Sequence, residues 1–391
     1  MISMSLETIK KVSVFTTFLL FSSYSFSDTG SHNQQLEGLI REPFYLNVTL
    51  SDGQPAVLDA FVTRPAGQEH LPVALITHGT VGTAEFDRWT MNPNYLSSTA
   101  IAFARHGYAA VAVLREGYGY SSGAAEYRGD SCEEPNHEIA GMRDKKDILA
   151  ALGRIKEYPW ASPDEAILVG MSAGGFAVIS AGSVNPGGVK AVINFAGGRG
   201  GKDGKSVCDE PGLLQAFSDY GRSAKIPSLW LYAKNDHFFP PNFAKAFFSA
   251  YSKNNNLARL HIFPPFSDNG HVVMDSAPEK FWWPEVSLFL KGRGLPYKEI
   301  LDIPQAQLSQ PAYLNNKEGV KGFKDYLAAM QYEKAFAVSD DGAWGVSYKN
   351  RTAEDAAYYA LESCRKHDKG KGKCDVYAIN NAVVVKNPHL S

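Results

Sequence analysis

Ala166-Ile167-Leu168-Val169-Gly170-Met171-Ser172-Ala173-Gly174-Gly175-Phe176-Ala177-Val178-Ile179-Ser180-Ala181 is the stretch whose reading decides the fold. A short apolar run leads into Gly170-x-Ser172-x-Gly174, and a helix-like run of small and apolar residues follows. Strand, tight G-x-S-x-G turn and helix together form the context of a nucleophile elbow. Glycines two places before and after the serine let the backbone turn sharply and lift the hydroxyl above the sheet in a strained conformation. Without its flanks the pentapeptide would be a plain strand-to-helix turn. With them, Ser172 is a candidate nucleophile.

Working outward, residues 44–50 alternate as a strand, residues 51–55 form a turn and residues 57–63 a second strand, an opening hairpin. A polar, mobile segment precedes them, to about residue 42. Pro72-Val73-Ala74-Leu75-Ile76-Thr77 is a solid apolar run, of the kind buried on both faces of a parallel sheet, and it ends in His78-Gly79-Thr80. Further strands are expected over 108–114, 189–195, 228–232 and 258–263, with helices over 96–105, 139–155, 242–251 and 281–290. Strands alternating with helices at this spacing mean an α/β fold with a doubly wound, mostly parallel sheet. In such sheets ligands bind beyond the carboxyl ends of the strands, where His78-Gly79, Arg115, Ser172, the Gly197 loop and Asp236 all fall.

The expected domain spans residues 44–294. Residues 295–325 read as a linker, rich in Pro and Gln as far as 311, and 326–391 as a small α+β module. Within the module, strands are expected over 334–338, 344–348, 375–379 and 383–385. A helix capped by Thr352, with Asp355 in its first turn, lies between them.

The chain has 391 residues, 44% hydrophobic and 20% charged, with a formal net charge of -2, which gives no reason to expect nucleic acid or an anionic membrane as partner. Lys10 and Lys11, the apolar run 12–21 and Ser25-Phe26-Ser27 read as a signal peptide over 1–27. That run is short for a membrane span, which needs about 20 residues. The protein is therefore expected to be exported, periplasmic or secreted, with no membrane span after signal cleavage. Export would place the four cysteines in an oxidising compartment. Cys364 and Cys374 are close enough for a local bridge, which leaves Cys132 and Cys208 to pair. Four cysteines allow three connectivities, and four buried thiols are the bland alternative. No Cys-x-x-Cys pair or histidine cluster suggests a metal, and no cofactor is expected.

A serine hydroxyl is a poor nucleophile until an imidazole removes its proton, and a carboxylate must then orient that imidazole. Asp236 follows the strand 228–232, and His271 follows the last strand after Asp268-Asn269-Gly270, giving the chain order nucleophile, acid, base. Asp268 and Asp275 compete as acids, and His237 and His137 as bases; His78 is read as shaping the loop beside the site. An oxyanion hole needs two backbone N–H groups, from Ala173 and from Gly79 or Thr80. Trp89, Tyr118, Tyr120, Phe238, Phe239, Trp282 and Trp283 crowd the expected rim, either as core or as a cleft for an apolar or aromatic group. Arg115 and Arg199 are candidates to hold a substrate carboxylate, with solvated surface arginines as the alternative. Tyr118, Arg115 and Phe238 are the candidate substrate contacts. A Cys132–Cys208 bridge would rigidify two loops over the cleft.

Across residues 44–291 the sequence resembles the α/β-hydrolase superfamily, and within it exported bacterial dienelactone-hydrolase-like proteins. The resemblance rests on His78-Gly79-Thr80, Arg115-Glu116-Gly117-Tyr118-Gly119, Gly170-Met171-Ser172-Ala173-Gly174-Gly175, Ile193-Asn194-Phe195-Ala196-Gly197-Gly198, Leu231-Tyr232-Ala233-Lys234-Asn235-Asp236 and Gly270-His271. It implies the α/β-hydrolase fold and a Ser172–Asp236–His271 triad. Dienelactone hydrolases proper carry cysteine as nucleophile, so serine here favours general hydrolysis of a small-molecule carboxylic ester. The loop after Arg115 is also similar to that of oligopeptidase-type relatives, which makes a serine peptidase the second reading. A non-catalytic binding protein on the same scaffold is the third, opposed by the intact Ser, Asp and His set. The C-terminal module looks like a small Cys-paired unit of exported bacterial proteins, and no role is carried over from it. Nothing in the sequence sets an oligomeric state.

Overall fold

Runs of Val, Ile, Leu and Ala a few residues long can be buried on both sides only inside a sheet covered by helices. The computed structural model, which describes residues 36, 38–80, 85–125, 132, 135–253, 255–303, 306–368 and 372–384, has that arrangement. The expected signal peptide, 1–27, lies outside the described residues.

The main sheet contains β1 (Leu39–Thr49), β2 (Pro55–Pro65), β3 (Leu71–Thr77), β4 (Ala109–Val113), β5 (Ala161–Met171) and β6 (Val189–Phe195). After a separate two-rung hairpin, β7 (Gly201–Lys202) with β8 (Ser206–Val207), it is completed by β9 (Ser228–Ala233) and β10 (Ala258–Phe263). The order is β1-β2-β4-β3-β5-β6-β9-β10. Pairings involving β2 are antiparallel, and the others are parallel. This is the α/β-hydrolase fold anticipated from the spacing and the resemblance.

Alternate residues of each central strand enter different cores. Leu75, Leu168, Val192 and Trp230 face one; Ile76, Ile167, Ile193 and Leu231 face the other. The helices are α1 (Glu85–Thr90), α2 (Ser97–Arg105), α3 (His137–Ile155), α4 (Ala173–Ser183), α5 (Glu210–Ser223), α6 (Pro241–Ser252), α7 (Val273–Ser276) and α8 (Glu279–Lys291). Residues of α3, α4, α5 and α6 fill the first core, and residues of α2, α7 and α8 the second.

Three elements depart from the sequence reading. The segment expected to be mobile as far as residue 42 already belongs to β1, which pairs from Leu39↔Pro65 onward. Its Arg-Glu-Pro tripeptide broke the alternation, but β1 is an edge strand, where proline and polar residues are tolerated. α5 was hidden by Pro211-Gly212, which reads as loop. Here the proline occupies the first turn, and Asp209 caps the helix by accepting from Gly212 N at 3.2 Å.

The third departure is the linker. Residues 317–328 of the expected 295–325 linker region and its border form α9 (Lys317–Ala328). The module continues with β11 (Ala335–Val338), β12 (Trp344–Ser347), α10 (Ala353–Asp368), β13 (Asp375–Ile379) and β14 (Ala382–Val383), in the antiparallel order β12-β11-β13-β14. The strand expected over 383–385 is β14, and Val385 lies outside the described residues. α10 packs on one face, through Ala356, Ala360 and Cys364 against Ala335 and Ala337. α9 packs on the other, through Phe323 and Tyr326 against Phe336 and Ala378. A sheet apolar on both faces needs two covers, so α9 is part of the module. The disulfides are Cys364–Cys374 and Cys132–Cys208.

The module is tied to the sheet by polar contacts. Arg351 forms a forked ion pair with Asp59 of β2, with Nη1 2.8 Å from Oδ1 and Nη2 paired to Oδ2. Arg41 of β1 pairs with Glu333. Asn94 donates from Nδ2 to Tyr332 O at 2.5 Å and to Asn350 O at 2.8 Å. Asp59 is fully buried, so removing its partner strands a charge away from water. Arg351→Ala is expected to lower stability by about 3 kcal/mol, read by equilibrium urea unfolding.

Candidate active site

The turn after β5 is built by steric exclusion. Ser172 has φ 56° and ψ -123°, a region that costs a residue with a Cβ on the order of 1–3 kcal/mol. The flanking glycines serve a different purpose from the one anticipated, since the positive φ belongs to the serine. A Cβ on Gly170 would lie 2.2 Å from Gly174 O, and one on Gly174 would lie 2.3 Å from His78 O. They are glycines because main chain packs on main chain there. The strained serine is held by Ser172 N donating to Phe195 O at 2.9 Å, while its own carbonyl accepts from Phe176 N at 3.0 Å and Gly198 N at 3.1 Å.

The loop after β3 lies against this turn. A Cβ on Gly79 would come within 2.9 Å of Ser172 Cβ. His78 fixes the loop: Arg115 N donates to its Nε2 at 3.1 Å, so Nδ1 carries the proton and donates to Gly79 O at 2.7 Å. Complete burial, and secondly the Arg115 charge, hold the His78 pKa well below its ordinary value, so this imidazole is neutral.

At the ends of β9 and β10 the structure brings Asp236 and His271 together. His271 Nδ1 is 3.0 Å from both Asp236 oxygens, and Oδ1 also accepts from Phe238 N and Phe239 N at 2.8 Å each. Asn269 joins the Asp236 loop to the His271 loop, accepting through Oδ1 from His237 N at 3.1 Å and His271 N at 3.0 Å. Gly270 permits the contact, because a Cβ there would lie 2.4 Å from Ala233 Cβ. The rivals are placed elsewhere. Asp268 and His237 are exposed, Asp275 Oδ2 lies 3.7 Å from Lys349 Nζ, and His137 faces Cys208 O at 2.9 Å. Phe239 links the two halves: it packs on Gly198, whose N–H holds Ser172 O, and its ring centroid is 5.7 Å from His271.

Several expected substrate contacts are corrected. Arg115 is 1% exposed, with Nε 3.0 Å from Asp144 Oδ1 and Nη1 donating to His78 O at 2.7 Å. Arg199 is also buried, with Nη1 3.6 Å from Asp144 Oδ2. Neither arginine is a surface group open to a substrate carboxylate; burial with a shared carboxylate makes them scaffold. Tyr118 is fully buried, its ring 4.4 Å from that of His78. Phe239, Trp282 and Trp283 are core, the two tryptophans because α8 packs on Phe103 of α2. Of the expected rim, Trp89, Tyr120 and Phe238 are exposed, and Phe238 lies 4.6 Å from the His271 ring.

Sequence reasoning missed Met91, Tyr95, Tyr348 and Lys349, which line a cavity of about 330 Å³ with His78, Gly79, Thr80 and Met171. Tyr348 and Lys349 arrive from the module, at a separation that local patterning cannot report. Among the described residues no group of three or more His, Cys, Asp or Glu could hold a metal ion, and no helix is long and apolar enough to cross a membrane.

Comparison with solved structures finds an esterase from Pyrococcus furiosus at 17% identity, covering 65% of this chain and 91% of that one with a TM-score of 0.46. A cold-adapted esterase from an Arctic intertidal metagenomic library is 18% identical, covering 66% and 95%, with a TM-score of 0.45. An acylaminoacyl peptidase from Pyrococcus horikoshii is 19% identical, covering 67% and 43%, with a TM-score of 0.45. No curated protein matches the chain. Residues 58–289, more than half of the chain, match the dienelactone hydrolase family. The chain belongs to the dienelactone hydrolase family and is a hydrolase of the α/β type.

Proposed function

We propose that the protein cleaves carboxylic esters through an acyl-enzyme, with Ser172 as nucleophile, His271 as general base and acid, and Asp236 as orienting carboxylate. The observation that carries this reading is His271 Nδ1 held 3.0 Å from both oxygens of a buried Asp236. Bound in that way, Nδ1 keeps its proton and Nε2 is the basic nitrogen. Nε2 takes the Ser172 proton as Oγ attacks the ester carbonyl, then returns it to the departing alcohol. Water repeats the cycle on the acyl-enzyme.

Developing negative charge on the carbonyl oxygen is met by backbone N–H groups of Ala173, at the start of α4, and of Gly79 or Thr80. Pressed against Ser172, the Gly79 loop supports that role. Two backbone N–H groups donate to Asp236 Oδ1 and hold the carboxylate in place beside the imidazole. The two disulfides support an exported protein, periplasmic or secreted.

Purified protein is expected to take a fluorophosphonate covalently, and Ser172→Ala to lose both the label and on the order of 10⁴-fold or more in kcat on nitrophenyl esters. Labelling that persists in Ser172→Ala places the nucleophile elsewhere; faster turnover of peptide anilides than of esters favours the peptidase reading. Asp236→Asn keeps the shape of the acid and is expected to lower kcat about 10⁴-fold with little change in KM. Gly79→Ala forces the loop off Ser172 and is expected to lower kcat on the order of 10²-fold, against a melting temperature near that of wild type.

A further inference from the structure

Two concavities meet beside the elbow. The inner one, about 330 Å³, is walled by the His78–Thr80 loop and Met171. The outer one, about 460 Å³, runs along α1 and the start of α10. Both are lined by Met91, Tyr95, Tyr348 and Lys349, so they form one cleft with the module as a wall.

That wall is built rigidly. Asn92 Nδ2 donates to Lys349 O at 2.9 Å and Asn94 Nδ2 to Asn350 O at 2.8 Å. Lys349 itself has φ 59°, a left-handed conformation that its neighbours impose. Arg351, locked onto Asp59, places its guanidinium carbon 4.2 Å from the Tyr120 ring centroid and steadies that ring. The loop between β12 and α10 is thus held from the hydrolase side, in position to shape what reaches the elbow.

The lining selects a ligand chemistry. Trp89, Tyr120 and Tyr359 are 60%, 54% and 55% exposed, large ring surfaces left in water along one groove. Between them lie Thr90, whose hydroxyl donates to Asp87 O at 3.2 Å, Asn350, whose Nδ2 donates to Glu333 O and Ser347 Oγ at 3.1 Å each, and the carboxylate of Asp355. An acyl chain would take water from the Asp355 carboxylate without offering it a donor. An anionic polymer would meet Asp355, while Lys349 and Arg351 already face Asp275 and Asp59. A sugar ring satisfies both features, with C–H faces against the aromatic planes and hydroxyls towards the amide and carboxylate.

We propose that the C-terminal module completes the substrate cleft, and that the cleft takes a neutral oligosaccharide whose ester group is presented to Ser172. The ester part of this inference rests on the hydrolytic reading above; the carbohydrate part does not. Sugars stack over Trp89, Tyr120 and Tyr359, and Tyr348 and Lys349 separate that outer groove from the reacting carbonyl.

Binding is tested on full-length Ser172→Ala by titration calorimetry with xylohexaose, cellohexaose and chitohexaose. At least one is expected to bind with Kd below about 1 mM, and Trp89→Ala or Tyr359→Ala to weaken it about tenfold or more. Tyr359→Phe keeps the ring and is expected to bind within about threefold of the parent, which a general loss of structure would not allow; melting curves accompany each variant. No binding of any hexaose, or affinity unmoved by both alanine changes, overturns the proposal. It is also overturned if nitrophenyl ester turnover climbs steadily with acyl length and Trp89→Ala abolishes the trend. Fluorophosphonate labelling without hexaose binding removes the carbohydrate groove alone; hexaose binding without labelling removes the hydrolytic reading and leaves the groove.

Discussion

The contact on which the rest of the site depends is main chain against main chain, where the end of β3 meets the start of α4. A Cβ on Gly174 would stand 2.3 Å from His78 O and 2.8 Å from Thr77 O, closer than any side chain can be accommodated. Parallel pairing of β3 with β5, through Thr77↔Gly170, brings the two segments to the same height. Ser172 is then squeezed into its positive φ, with Gly79 on one side and Gly198 on the other. The strain at the serine is therefore a consequence of sheet register and missing side chains, and it is sustained by the whole width of the central sheet.

Behind that contact lies a buried polar scaffold. Arg115 and Arg199 share Asp144, and all three are nearly inaccessible to water. Burying three charges is costly, and the arrangement is justified by geometry more than by stability: Arg115 reaches both Thr77 Oγ1 at 3.1 Å and His78 O at 2.7 Å. It thereby sets the position of the loop that lies against Ser172. Nearby, burial raises the Asp147 pKa to about 7, although Glu116 N donates to Oδ2 at 2.8 Å. As this folded-state value lies above the ordinary one, the group favours folding less as pH climbs from about 4 towards 7.

The parts of the molecule visible in the sequence are those with local or periodic causes. Apolar runs such as 72–77 and 189–195 announce central strands, and G-x-S-x-G between a strand and a helix announces the elbow. Asp236 and His271 could be picked from chain order, because each follows a strand at the same edge of one sheet. What failed was anything decided by burial. An arginine in a glycine-rich loop looks the same whether it meets solvent or Asp144, so Arg115 read as a substrate contact. Trp282 and Trp283 read equally as core or rim because nothing in their own segment says which helix covers them. α9 read as linker since its partner face, Phe336 and Ala378, lies later in the chain.

The module shows the same limit at larger scale, and its consequence reaches the chemistry. A four-stranded sheet with two helices and one internal disulfide has little core, so its docking contacts matter to its order. Those contacts are polar and distant in sequence: Arg351 to Asp59, Arg41 to Glu333, Asn94 to two carbonyls of the module. Apolar docking would tolerate sliding, whereas forked ion pairs and amide bonds to specific carbonyls fix orientation. Fixed orientation is what a wall of a cleft requires. Tyr348 and Lys349 face the His78–Thr80 loop because Lys349 itself and the two residues after it are already committed to Asn92, to Asn94 and to β2. The elbow thus presents Ser172 to the cleft, and the polar seam between sheet and module sets the space in front of it.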